Sequence, residues 1–73
     1  MKFAVINSPA NKLVLSYLGL RFSVQGPSLV FEADPSDLAR IARTLRELGY
    51  AHDEYEAYRL AASFFQNPLR VRA

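Results

Sequence analysis

The sequence predicts a small α+β domain in which helices cover a small antiparallel sheet. Three observations support this fold class. A short apolar run opens the chain, two runs of alternating residues flank a Gly-Pro turn, and three segments carry apolar residues at helical spacing behind capping residues. The 73 residues make one domain, spanning residues 1–73 and close to the lower size limit for an unaided hydrophobic core.

A strand and a short helix are predicted at the start of the chain. Residues 2–7 form a β-branched apolar run that is typical of a strand. Ser8 and Pro9 then match a helix cap and a first helical residue, and Gly19 ends the pattern. A long strand over residues 13–24 is the alternative, because this stretch is rich in β-branched and aromatic residues. The predicted apolar face of the helix comprises Ala10, Leu13, Val14, Tyr17 and Leu18.

A hairpin and a second helix are predicted next. Residues 20–25 and 28–33 alternate around Gly26-Pro27, where the proline excludes the Asn-Gly type of turn. Asp34 then caps a helix with a proline in its first turn, and Gly49 ends it. The predicted core positions of this helix are Leu38, Ile41, Ala42, Leu45 and Leu48.

A third helix, capped by Asp53 and ended by Pro68, carries more apolar surface than one core-facing side needs. One stripe comprises Ala57, Leu60, Ala61 and Phe64, and a second comprises Tyr55, Tyr58, Ala62 and Phe65. One stripe must be core, and the other is either core or a docking surface, because contiguous exposed aromatic residues mark interaction sites.

The predicted order is therefore β-α-β-β-α-α. Residues 69–73 form either a last strand or a flexible basic tail. This order is most of a ferredoxin-like split βαβ arrangement, with the third helix as an edge or lid.

Arginine dominates the cations and recurs along the second helix. Arg40, Arg43 and Arg46 follow one another at i, i+3 and i+6, a row that suits phosphates or an acidic protein. The alternative is a solvated face on which Glu47 compensates Arg43 at i+4. The residues predicted to bind a partner are Arg40, Arg43, Arg46, Tyr55, Tyr58, Phe65, Arg70 and Arg72.

Catalytic, metal and cofactor sites are not expected. The chain has no cysteine and one histidine, His52, which lies in a loop and is better explained as a polar loop residue or a minor cap. No phosphate-binding glycine loop or metal-ligand spacing occurs, and no run is long enough to span a membrane. The phenylalanines of the predicted strands, Phe3, Phe22 and Phe31, could stack RNA bases, but core packing explains them better. We therefore expect a cytoplasmic protein that is not an enzyme.

The size, the absence of cysteine and the pattern beginning MKFAVIN resemble the very small proteins with which bacteriophages redirect host machinery, including a phage inhibitor of bacterial RNA polymerase. The resemblance implies a protein of the host cytoplasm that docks on polymerase subunits and inhibits transcription initiation or alters termination. The residues themselves predict a protein-binding regulator. A nucleic-acid-binding module, or a homodimer that buries Tyr55, Tyr58 and Phe65, are the alternatives.

Overall fold

The computed structural model describes residues 1–69 and shows the predicted α+β class. The strands are β1 (Lys2–Ile6), β2 (Phe22–Gln25), β3 (Ser28–Glu32) and β4 (Pro68–Leu69). The helices are α1 (Pro9–Tyr17), α2 (Leu38–Glu47) and α3 (Glu54–Ser63), and a single 3-10 turn, Pro35–Asp37, leads into α2.

The sheet has the order β2-β3-β1-β4, and every neighbouring pair is antiparallel. Strand β3 lies between β1 and β2, the two strands that α1 connects, which is the split βαβ arrangement that the sequence predicted. Helices α2 and α3 together make the second crossover. Strand β4 then pairs with β1, with Leu69 opposite Lys2 and Pro68 opposite Phe3. Leu69 therefore belongs to a strand, and residues 70–73 lie outside the described part of the chain.

The core lies between the helices and one face of the sheet. Phe3, Leu29 and Phe31 are buried on this face, and Phe64 packs edge-on against Phe31 with ring centroids 6.0 Å apart. The opposite face carries Ala4 beside Val30 and no aromatic side chain on β1, β2 or β3. The three strand phenylalanines point into the helical side, so the RNA-stacking alternative has no platform on these strands.

Helix α1 begins as predicted, but its buried face differs from the predicted one. Ser8 Oγ accepts a hydrogen bond from the Asn11 N–H at 3.1 Å, which caps the helix. Val14 and Leu15 are buried, whereas Leu13 and Tyr17 are exposed. The predicted face was therefore right at Val14 and wrong at Leu13 and Tyr17, and it omitted Leu15. Spacing alone cannot say which side of a short helix meets the sheet, and the phenol of Tyr17 instead keeps its polar end at the surface.

Two local signals specify the hairpin and the start of α2. Gly26 has φ +61°, the left-handed conformation that a two-residue hairpin loop needs at its first central position. Asp34 Oδ1 accepts from the Ser36 N–H at 3.0 Å, and Asp37 Oδ2 accepts from the Asp34 N–H at 3.0 Å, forming a capping box. The predicted inner face of α2 is confirmed at Ile41, Ala42 and Leu45, which are buried, while Leu38 and Leu48 are half-buried against the core. Thr44 is also buried and was not predicted.

The capping carboxylate predicts a specific acid sensitivity. The Ser36 backbone N–H holds the pKa of the Asp34 carboxyl below its ordinary value. Because the folded-state pKa is depressed, ionised Asp34 stabilises the fold above the ordinary pKa, and this contribution is lost as the pH falls below about 4. Asp34→Asn retains an acceptor that does not titrate, so it should weaken the acid dependence of the denaturation midpoint.

Glu32→Gln is the matched control, because it removes one exposed carboxylate without touching a helix cap. Urea denaturation at several pH values between neutrality and about 3 measures the effect. An acid dependence in Asp34→Asn that equals the wild-type dependence would show that Asp34 is not the group responsible.

Candidate protein-docking surface

Helices α2 and α3 pack against each other and leave a cleft along their outer side. Ala42 and Ala57 line the cleft and are buried, so they form its floor. Their small side chains allow the two helices to approach closely. The cleft has a volume of about 660 Å³ and is open to solvent. The residues that line it are Ala39, Arg40, Ala42, Arg43, Arg46, Glu47, Glu54, Ala57 and Tyr58.

The three arginines of the predicted row all line this cleft, but their partners differ. Arg40 forms an ion pair with Asp37, with Nη1 and Oδ1 3.1 Å apart, and its Nη2 donates to the Leu18 carbonyl at 3.4 Å. Arg43 and Arg46 make no ion pair with any residue of 1–69. Arg40 therefore links α2 to the end of α1, whereas Arg43 and Arg46 are exposed and form no such link.

Glu47 does not compensate Arg43 in the way that its i+4 spacing suggested. Its Oε2 instead accepts a hydrogen bond from the Tyr17 hydroxyl at 3.1 Å, which links the end of α2 to α1. The hydrogen bond and the carboxylate charge together raise the pKa of Tyr17. Glu47, one of the two acidic residues that line the cleft, is thus directed toward α1. The α2 side of the cleft is therefore dominated by its three arginines.

The second stripe of α3 divides into surface and core. Tyr58 is 39% exposed and lines the cleft, and Tyr55, one turn earlier, is 78% exposed. Ala62 is also exposed. Phe65 differs, because its ring lies edge-on to Phe3 with centroids 4.9 Å apart. Phe65 therefore packs at the edge of the core, where it is half-buried.

The predicted site residues are thus only partly brought together. Arg40, Arg43, Arg46 and Tyr58 line the cleft, whereas Tyr55 does not. Arg70 and Arg72 of the predicted basic tail fall outside residues 1–69. The alanines of the floor and Glu54 were missed. The one sequence signal for the alanines is the presence of small residues at helical spacing on both helices, Ala39 and Ala42 on α2 and Ala57 and Ala61 on α3.

His52 lies just before α3 and takes part in its cap through its backbone. Its N–H donates to Glu56 Oε1 at 2.9 Å, while Asp53 Oδ1 accepts from the Glu56 N–H at 2.7 Å. Across the part of the chain that the structure describes, no three His, Asp or Glu side chains come together as metal ligands. No helix in that same part is long and apolar enough to cross a membrane.

Comparison of the chain with protein families, curated proteins and solved structures found no match. The features that bear on function are consequently the chain's own residues, above all those of the cleft between α2 and α3.

Proposed function

We propose that this chain is a non-catalytic protein-binding regulator whose α2–α3 cleft receives an acidic amphipathic helix of a partner protein. The observation that supports this most directly is the combination of two arginines that lack carboxylate partners among residues 1–69 with an exposed tyrosine on the facing helix. Arginine and tyrosine are the residue types enriched at the energetically important centres of protein interfaces.

The charge of the cleft favours an acidic partner. Arg43 and Arg46 each offer a planar donor group that can bind a carboxylate through two parallel hydrogen bonds. A partner helix with Asp or Glu side chains one turn apart would meet both arginines. Its apolar residues would lie over Ala42 and Ala57, and its side chains would contact the ring of Tyr58, as in other complexes where a helix lies in a groove.

A nucleic acid is the weaker candidate. Phosphates would also bind Arg43 and Arg46, but a nucleic acid binds through many phosphates and needs a more extended cationic surface than the three arginines of this cleft. The remaining described arginines, Arg21 before β2 and Arg59 on α3, do not line the cleft. A nucleic-acid-binding domain is expected to gather its cations on one face. The distribution of charge therefore favours a short acidic protein segment.

The resemblance in size and pattern to small phage proteins suggests a subunit of bacterial RNA polymerase as the partner. On this proposal the chain acts in the host cytoplasm and alters transcription by occupying a surface of the polymerase. The role needs no catalytic group and no cofactor.

Charge reversal in the cleft tests the proposal. Arg43→Glu should slow association with purified bacterial RNA polymerase by roughly tenfold and reduce the salt dependence of the association rate, as expected for a steering charge. Lys12→Glu on α1 makes the same change of charge outside the cleft and should leave association close to wild type. Biolayer interferometry at several salt concentrations measures both rates.

Two outcomes would contradict separate parts of the proposal. If the wild-type chain does not bind polymerase but binds another bacterial protein in an Arg43-dependent way, the polymerase is the wrong partner and the cleft is still the site. If Arg43→Glu and Lys12→Glu have equal effects on every protein bound, the cleft is not the docking surface. Binding of duplex DNA that depends on Arg43 and exceeds all protein binding would favour a nucleic-acid-binding module.

A further inference from the structure

Strand β2 forms one edge of the sheet, and Ser23, Val24 and Gln25 are exposed there. Natural proteins protect such edges with a very short strand, charged side chains, proline, a bulge or a covering segment, because an unpaired edge is a template for another strand. Strand β2 is short, with four residues. The four residues of β2, Phe-Ser-Val-Gln, contain neither proline nor a charged side chain. Its pairing with β3 is also regular, with no bulge between Phe22 and Gln25.

The register of the hairpin shows which backbone groups face outward. Gln25 pairs with Ser28 across the two-residue loop, and hydrogen-bonded and non-hydrogen-bonded pairs alternate from there. The Glu32 N–H donates to the Arg21 carbonyl at 3.3 Å, which agrees with this alternation. Phe22 and Val24 therefore occupy non-hydrogen-bonded positions, and their N–H and C=O groups point away from β3 toward the free edge.

We propose that β2 is a self-association edge, at which a second copy of this chain adds its own β2 antiparallel about a two-fold axis. In the register that hydrogen-bonds every outward-pointing N–H and C=O group, Phe22 of one copy pairs with Val24 of the other. Ser23 then faces Ser23 of the other copy at the two-fold axis. The N–H and C=O groups of both outward-facing residues are then hydrogen-bonded, and one continuous sheet crosses the two copies.

The side chains of β2 suit a second copy as the occupant. Val24 is 55% exposed on the helical side of the sheet, and the pairing places it directly beside Phe22 of the other copy. On the open face, Arg21 lies opposite Gln25 of the other copy, so its guanidinium meets an amide and not another cation. Like charges do not face each other anywhere along the paired segment. This edge lies apart from the α2–α3 cleft, so each copy keeps its cleft free.

A cysteine at the proposed axis tests the pairing directly. The chain has no natural cysteine, so Ser23→Cys introduces a single thiol. Residues that face each other in a non-hydrogen-bonded antiparallel pair have Cα atoms about 4.5 Å apart, within the range that a disulfide spans. Ser23→Cys should convert largely to a covalent dimer under mild oxidation. Ser16→Cys, an exposed position on α1, should remain largely monomeric under the same conditions.

Sedimentation equilibrium of the unmodified chain over a range of concentrations should show a monomer–dimer equilibrium. Val24→Lys should raise the dimer dissociation constant by roughly tenfold or more, because it places two cations at the edge. A cooperative thermal unfolding transition shows that Val24→Lys is folded. The oxidation of Ser23→Cys is a separate test that does not depend on this variant. A monomer up to millimolar concentration would overturn the proposal. So would a dimer that Val24→Lys leaves unchanged while Ser23→Cys fails to cross-link.

Discussion

Replacing Leu45 with alanine is expected to lower the free energy of unfolding by about 2 to 5 kcal/mol. Leu45 lies on the inner face of α2 and is only 5% exposed. Truncation removes apolar contacts and leaves a cavity that a small core cannot fill by rearrangement. Since domains of this kind have a total stability of about 5 to 15 kcal/mol, the variant should be close to unfolding. Urea denaturation followed by far-UV circular dichroism measures the change.

Leu13→Ala is the matched control, because Leu13 also lies on a helix but is exposed. Its effect should stay within about 0.5 kcal/mol of wild type, as is usual for surface substitutions. If the midpoint of Leu45→Ala is unchanged, or if Leu13→Ala costs as much, the assignment of the helical core is wrong.

Replacing Tyr58 with alanine should weaken binding of the partner protein by about 1 to 4 kcal/mol, the range of a central aromatic anchor. Its effect on the free energy of unfolding should be smaller than that of Leu45→Ala, because Tyr58 stands on the rim of the cleft and is 39% exposed. Isothermal titration calorimetry measures the affinity, and urea denaturation measures the stability of the same sample.

Tyr50→Ala is a close control for this experiment. Tyr50 is 41% exposed but does not line the cleft, so its loss should leave the affinity near wild type. An equal loss of affinity in both variants would point to a general effect of removing surface tyrosines. If Tyr58→Ala unfolds the chain, the residue is core and the docking surface must lie elsewhere.

The sequence predicted best those features that depend on a few neighbouring residues. The caps at Ser8, Asp34 and Asp53 are present because each requires only a side-chain oxygen and a backbone N–H two or three residues later. The glycine of the hairpin turn is similarly local. The predicted order of strands and helices is compatible with only a few sheet topologies, and the structure has the ferredoxin-like one.

Features that depend on distant residues were predicted less well. Spacing indicated an apolar side of α1 but did not show that Leu15, and not Leu13, would face the sheet. Phe65 continued the helical stripe of Tyr58, yet the chain turns toward β4 there and brings its ring against Phe3. Glu47 had a suitable local partner in Arg43 but bonds Tyr17, thirty residues away. In each case a tertiary contact outweighed the local pattern.

The sequence also did not predict the α2–α3 cleft. The spacing of Arg40, Arg43 and Arg46 was evident from the sequence. No neighbouring residue indicated that α3 would place Tyr58 and Glu54 on the opposite side of the cleft. Ala42 and Ala57 acquire their role only when the two helices meet.

Site-specific photo-cross-linking from the cleft tests the proposed function most directly. A benzophenone amino acid replaces Ala39, an exposed residue of the cleft lining, and in a separate chain it replaces Ser16 on α1. Both chains are irradiated in bacterial lysate, and the cross-linked peptides are identified by mass spectrometry. We expect position 39, and not position 16, to cross-link a helix of one protein that is rich in Asp and Glu. The cross-link should disappear when Arg43 and Arg46 are both changed to Glu. Equal cross-linking from the two positions, or cross-links from position 39 only to nucleic acid or to a second copy of the chain, would contradict the account.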